Sequence, residues 1–350
     1  MIRNDVDPTV CFFGRTFQFG RVDGSSIGVL TLRENGSIDG YRSRNEQSWA
    51  VDNGCLVFRD IHQRVTTVFE DVQQRSEGLF LRGAFLPLGP GHWHTLTELN
   101  QTSSRSVIDE LRTELYGEDQ PLSHAKTTYR DNGYPHTNLV SDIVDSVLDF
   151  VQPRFWLELG SMLGGSAIRV ASLVKSKAMK TEIVCVDPFT GDVNMWAWEQ
   201  PDRKAGKWQF LRLEHGRPTI YDRFLANVVA AGHADIILPI AATSTVGLKL
   251  LSRLLAEGRL SRLPEVIYLD SAHEPDETFL ELRNCWNVLP KGGILLGDDW
   301  GWEAVRNDVT RFAQSVVIDP ERGRQLAERH GKFAACNGIL LDAGHWVLTK

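Results

Sequence analysis

From residue 155 onward, short apolar runs alternate with longer segments of helical period, and this rhythm limits the fold more than any other feature of the chain. The runs are 155–159, 183–186, 236–240, 266–269 and 294–296. Each is short and almost wholly apolar, as a strand covered on both faces must be. The stretches between them are long enough for helices, and strand–helix–strand alternation implies a parallel sheet with helices on both faces. Ahead of the first run, Leu139, Ile143, Val144, Val147, Leu148 and Val151 recur at the spacing of one helix face. Residues 337–341 and 346–348, around Asp342-Ala343-Gly344, read as a terminal antiparallel hairpin. Residues 135–350 are therefore expected to form an α/β, doubly wound, mostly parallel sheet ending in that hairpin.

The first hundred residues follow a different period. Leu30-Thr31-Leu32 leads into Glu34-Asn35-Gly36, where Asn-Gly is a strong hairpin signal. Alternating or aromatic runs follow at 55–58, 65–69, 79–85 and 92–96, punctuated by Gly, Asp and Asn. Residues 1–100 thus read as a small β-rich domain of six to eight strands, a sandwich or a barrel. Residues 101–134 are polar and read as a connector able to fold over the active site, with one helix over 107–116.

Composition narrows the functional classes. A formal charge of -7 argues against a polyanion such as nucleic acid held by broad electrostatics. No run approaches the roughly 18 apolar residues of a membrane helix, and the first residues lack a basic-then-apolar leader, so the expected location is the cytoplasm. Cys11, Cys55, Cys185, Cys285 and Cys336 are odd in number and never spaced as CxxC, which suits reduced thiols that mostly pack as small core residues.

The chemistry concentrates at the ends of the apolar runs. The first closes on Glu158-Leu159-Gly160, followed by Ser161-Met162-Leu163-Gly164-Gly165-Ser166 and an apolar helix. Glycines permit a sharp turn and a ligand lying against the backbone, and the helix N-terminus beyond favours a carboxylate. The second run closes on Cys185-Val186-Asp187-Pro188, an acid 29 residues after Glu158 and placed to grip a ribose diol. These segments resemble the first two motifs of the class I S-adenosylmethionine methyltransferases, and the resemblance spans about 139–350. It implies a Rossmann-like methyltransferase sheet, with Glu158, Gly160, Gly164 and Ser166 near the methionine end of the cofactor. It also implies Asp187 on the ribose, and Thr243 or Ser244 near the adenine.

The fourth run ends in Tyr268-Leu269-Asp270-Ser271-Ala272-His273 and the fifth in Gly297-Asp298-Asp299-Trp300. On neighbouring strands Asp270, Asp298 and Asp299 can converge, and gathered carboxylates call for a hard cation, best Mg²⁺. Consecutive strand residues face opposite ways, so Asp298 and Asp299 can share a metal only where the chain leaves strand geometry. The bland alternative is that one of them caps the helix beginning near Trp302. Asp-x-x-His followed by the acid pair, with the lead-in Asn287-Val288-Leu289-Pro290-Lys291-Gly292-Gly293, resembles the metal-dependent O-methyltransferases that act on the sugars of macrolide antibiotics. The resemblance implies Asp270, Asp298 and Asp299 as Mg²⁺ ligands and His273 as general base. Those enzymes carry Glu where this chain has Asp298.

The loop 189–198 is also typical of that group. With Trp198, Trp208 and Trp302, Trp196 and Trp300 offer flat faces to a sugar ring or planar aglycone, and at least two of these five are expected to be plain core packing. His62, His92 and His94 lack a matching metal spacing and read as ordinary sheet residues, and the 42–44 turn as solvated. The expected activity is S-adenosylmethionine- and Mg²⁺-dependent methyl transfer to a hydroxyl of a sugar or glycosylated natural product. Expected partners are a small-molecule or glycan acceptor, with no nucleic acid or membrane, and assembly into a homo-oligomer stays open. Two rival readings also stay open: methylation of a catechol-like molecule, or a non-catalytic carbohydrate-binding or assembly protein.

Overall fold

A computed structural model describes residues 12, 14–41, 43–75, 78–99, 105–131, 135–196, 207–257 and 259–350. The expectations for Cys11, Arg42, Ala197, Trp198 and parts of the connector (100–104, 132–134) lie outside the described residues. Eight antiparallel strands come first: β1 (Thr16–Arg21), β2 (Ser26–Leu32), β3 (Ile38–Asp39), β4 (Ser48–Asp52), β5 (Cys55–Arg59), β6 (Val65–Arg75), β7 (Gly78–Phe85) and β8 (Trp93–Glu98). Their order in the sheet is β3-β2-β1-β8-β7-β6-β5-β4, so apart from β1 beside β8 every neighbour is also consecutive in the chain. The two edges meet through a bridge between Ser37 and Ser48 and the hydrogen bond from Trp49 N to Gly36 O, 2.8 Å. The meander thereby closes on itself as a barrel, and closure protects the strand edges.

The two-residue strand period explains the filling. Phe17 and Phe19, Leu30 and Leu32, Leu56 and Phe58, and Leu79 and Leu81 all join one core with Phe69 and Leu96. Phe58 packs edge-on against Phe19 and Phe69, at ring-centre distances of 5.6 and 5.1 Å. His94 is buried there too, with Nδ1 3.1 Å from Thr67 Oγ1. His62 lies in the turn after β5 and His92 just before β8, and the three do not gather.

The connector begins with α1 (Val107–Leu111) and then widens into a π turn over Arg112–Tyr116, where a single helix is expected from the sequence. The wider turn accompanies two anchors: Arg112 donates to Ala234 O at 2.8 Å, and the Tyr116 hydroxyl donates to Pro239 O at 2.7 Å.

The second unit comprises α2 (Ser141–Val151), β9 (Phe155–Leu159), α3 (Gly165–Ser176), β10 (Glu182–Asp187), α4 (Val193–Trp196), α5 (Ile220–Ala230), β11 (Ile237–Ala241), α6 (Ser244–Ala256), β12 (Val266–Leu269), α7 (Glu277–Val288), β13 (Ile294–Gly297), α8 (Glu303–Ser315), α9 (Pro320–His330), β14 (Ala334–Cys336), β15 (Ile339–Asp342) and β16 (His345–Thr349). Its sheet runs β11-β10-β9-β12-β13-β16-β15-β14, parallel through β13 and antiparallel beyond. Both faces are covered: Phe155, Leu157 and Leu159 enter one core while Trp156 enters the other. Val29 of the barrel wall and Leu99 just beyond β8 belong to the first of these cores, so the barrel packs on the helices of the second unit. Cys185 and Cys285 are buried, Cys55 is half-buried and Cys336 exposed, and these four thiols are free. Among the described residues, no helix is long and apolar enough to cross a membrane.

A packed barrel interior makes Phe58→Ala costly. The expected loss is about 3–5 kcal/mol, the usual range for removing a buried ring. Urea unfolding would measure it, and a loss below about 1 kcal/mol would contradict close packing around this ring.

Candidate active site

The chain winds from β9 through β10 to β11, then returns to lay β12 and β13 on the other side of β9. Winding reverses between β9 and β12, and the crevice beyond the carboxyl ends of strands at such a reversal is where open α/β sheets bind ligands. A cleft of about 840 Å³ opens there, and Gly160, Met162, Asp187, Thr243, Asp270 and His273 contribute to its wall.

Gly160 is fixed by crowding. Its φ is +85°, and a β-carbon on it would lie 1.9 Å from the Asp270 carbonyl oxygen. Asp270 N in turn donates to Leu159 O at 2.9 Å, and Gly160 N to Val186 O at 3.0 Å, so the ends of β9, β10 and β12 are pinned together. At the start of α3, a β-carbon on Gly165 would meet His136 O at 2.4 Å.

Behind this loop Glu158 is fully enclosed, with Oε1 accepting from Ser166 Oγ at 2.8 Å and Oε2 left without a partner. Burial, reinforced by Asp270 and Asp187, pushes its carboxyl up to about 8. Asp187 shapes the loop as well as the cleft wall: its oxygens accept from Met162 N at 2.8 Å and Phe189 N at 2.5 Å. Burial raises its carboxyl from the ordinary value, and these amides pull it back. Thr243 caps α6 through Val246 N, and Ser244 beside it also lines the cleft. Glu158, Gly164 and Ser166 stand behind the wall as supports.

At the other end of the cleft, ligand atoms of Asp270, His273 and Asp299 all lie within 4.8 Å of one another. Two carboxylates and one imidazole are a donor set that suits a divalent cation. Tyr268 donates its hydroxyl hydrogen to Asp270 Oδ2 at 3.0 Å. Burial, with Asp298 and Asp299 nearby, pushes Asp270 up to about 7. Burial is the larger cause, the two neighbouring carboxylates add to it, and the nearby His273 opposes them. His273 Nε2 is 2.7 Å from Asp299 Oδ2, and Nδ1 is 3.3 Å from Asp192 Oδ2. Burial opposes charge on this ring, but the two flanking carboxylates and Asp270 outweigh it and raise it to about 10.

The chain leaves strand geometry at the acid pair, where Asp299 takes a φ of 60°. Asp299 turns to His273, whereas Asp298 turns into the protein and stands outside the three-residue group. Neither acid side chain caps α8, which starts after Trp302 without a side-chain cap. Trp196 is exposed and donates to Thr190 O, while Trp300 packs against the core, and neither lines the cleft. Nor does any described residue of the connector. Trp302 lies against the His273 ring, with centres 5.1 Å apart. Two functional groups are invisible to strand-end reasoning: Asp192, and Glu281, which accepts from Ser271 at 2.7 Å in the cleft wall. Asp192 had one available signal, its place five residues beyond Asp187.

Gly160→Ala should disrupt the site from its backbone. The variant is expected to lose S-adenosylmethionine binding measurable by calorimetry and to unfold at lower temperature, since both the φ and the contact forbid a β-carbon. Unchanged binding and melting would contradict the pinned strand ends.

Residues 157–300 match the family model described as a methyltransferase domain, a span from β9 to the loop after β13 that includes the glycine turn and the acid pair. No curated protein matches the chain. Among solved structures, the chain is similar to an O-methyltransferase from Bacillus cereus in complex with SAH (12% identity, 70% of this chain and 98% of that one, TM-score 0.38). It is also similar to the O-methyltransferase TomG from Streptomyces achromogenes, involved in tomaymycin synthesis and in complex with SAM (15%, 69% and 94%, TM-score 0.33). A third likeness is to cofactor-bound Rv0187 from MTB (14%, 71% and 98%, TM-score 0.35). Over residues 157–300 the chain is thus similar to the family described as a methyltransferase domain.

Proposed function

We propose that the chain is an S-adenosylmethionine- and Mg²⁺-dependent O-methyltransferase acting on a hydroxyl of a sugar or glycosylated natural product. The observation that carries this reading is the grouping of Asp270, His273 and Asp299 within 4.8 Å beside a cleft that also holds Gly160 and Asp187. The sugar acceptor rests on the Asp-x-x-His and acid-pair pattern, and a hydroxyl with an oxygen neighbour is what such a group can grip in two places. When bound, S-adenosylmethionine supplies an electrophilic methyl group and the divalent cation a Lewis acid that lowers the acceptor hydroxyl's pKa.

The residues divide the remaining work. The pinned turn at Gly160 and the amides ordered by Asp187 give the cofactor a fixed bed, and Thr243 and Ser244 bound its far end. Asp270 and Asp299 would hold the cation. His273, at the cleft wall, takes the proton from the attacking hydroxyl. Raised to about 10, this imidazole would carry a proton at neutral pH and could accept none. Positive charge held between Asp270 and Asp299 offsets their field and returns the ring to its neutral form. Asp192 on the far side steadies the imidazolium that proton uptake creates.

Methyl transfer from S-adenosylmethionine to a panel of sugars bearing neighbouring hydroxyls tests the reading. Turnover should vanish in EDTA and return with Mg²⁺, while cofactor affinity measured by calorimetry persists, because its anchors lie on β9 and β10. Full turnover after exhaustive chelation, with metal content checked, would remove the cation from the mechanism. Replacing His273 with Ala should cut turnover about 10²–10⁴-fold at saturating acceptor and metal, the range for a lost general base. Near-normal turnover in His273→Ala would assign the proton to another group.

A further inference from the structure

We infer that His345 is a positioning residue for the Asp299 carboxylate, acting through Asp298, so that this chain uses Asp298 as a strut instead of a metal ligand. The inference rests on the metal reading of Asp270, His273 and Asp299. Asp298 and His345 are both buried, 7% and 1% exposed. His345 Nε2 stands 3.7 Å from Asp298 Oδ1. Both Nε2 and Asp298 Oδ2 are enclosed and lack a hydrogen-bond partner. An unpaired, enclosed Nε2 beside a buried carboxylate is costly, and a shift of about half an ångström brings Nε2 into hydrogen-bonding range of Asp298 Oδ1. His345 Nδ1 already faces Ala343 O at 3.2 Å, which leaves Nε2 to Asp298. One proton held between Nε2 and the near carboxylate oxygen gives Nε2 its partner and holds the carboxylate in place.

The remaining contacts show what the strut supports. Asp298 Oδ1 accepts from Asp299 N at 2.7 Å, the amide of the very residue that turns to His273. Trp346 Nε1 donates to Asp298 O, and Trp300 N to Gly344 O, both at 2.9 Å. The loop carrying Asp299 is therefore tied to the β15–β16 hairpin on both sides of that residue. Asp299 has a φ of 60°, a conformation that surrounding contacts must hold. A metal ligand displaced by a fraction of an ångström binds less well, and residues that orient ligands commonly account for about 10–100-fold in metal affinity.

Mn²⁺ binding to the full chain, read by electron paramagnetic resonance, tests this without relying on turnover. Asp299→Asn serves as the control and should abolish binding. His345→Phe should weaken Mn²⁺ binding about tenfold or more, and His345→Gln, which keeps a donor, should recover most of it. Asp298→Ala should weaken binding as His345→Phe does, and the double variant should be no weaker than Asp298→Ala alone, since both act through one contact. Unchanged affinity for S-adenosylhomocysteine and a similar melting temperature establish that each variant is folded. Should His345→Phe fail to fold, comparison of Asp298→Ala with His345→Gln/Asp298→Ala gives the same non-additivity. The inference is overturned if the folded His345 variants bind Mn²⁺ like the unaltered chain while Asp299→Asn does not, or if the two losses add. Failure of the unaltered chain to bind Mn²⁺ overturns the metal reading, and this inference with it.

Discussion

The carbonyl oxygen of Asp270 occupies the place a β-carbon on residue 160 would need, 1.9 Å away, and much of the site follows from that contact. It brings the end of β9, which leads into the glycine turn, against the end of β12, which leads into Asp270 and His273. Parallel strands alone would set these ends side by side. The glycine lets them close further, so that the glycine turn after one strand and the Asp270–His273 segment after the other share one cleft. The reversal of strand order between β9 and β12 opens the crevice at the same point. Sheet topology and a single missing side chain thus decide together where chemistry can occur.

Around that contact the protein gathers buried carboxyls whose ionised forms its own groups only partly support. Glu158, Asp187 and Asp270 all have carboxyls raised by burial, and they lie close enough to influence one another. Buried charge is costly unless hydrogen-bonded or paired. Asp187 is served by two backbone amides, Glu158 by the Ser166 hydroxyl with one oxygen left over, and Asp270 by the Tyr268 hydroxyl. A cation among Asp270, His273 and Asp299 would supply the missing charge.

Much of this is legible in the sequence, because it depends on short-range pattern. The apolar runs ending at Leu159, Val186, Ile240, Leu269 and Leu296 coincide with strands β9–β13, the third starting one residue ahead of β11, and Asp187, Asp270 and His273 stand at or just beyond strand ends, in the cleft wall. What was not legible depends on contacts distant in sequence. The inward turn of Asp298 follows from the hairpin around 342–346, some 45 residues away, and local periodicity carries no trace of it. Strand β4 leaves little pattern in the sequence, since it has little burial of its own and owes its place to Ser37 and Gly36 at the barrel seam. Trp196 and Trp300 suggested a sugar platform by residue type, but a tryptophan's type does not say which way its ring points. In the fold one is exposed and the other packs on the core.

The central claim, a cation held beside the methyl donor by Asp270 and Asp299, is tested most directly by a crystal structure grown with S-adenosylhomocysteine and Mn²⁺, with diffraction recorded to reveal anomalous scattering. The account predicts one anomalous peak bonded to carboxylate oxygens of Asp270 and Asp299, with the nucleoside lying along Gly160, Asp187 and Thr243 and with Asp298 still turned to His345. A fully occupied cofactor with no anomalous peak at these carboxylates, or a peak held by other residues, would contradict it.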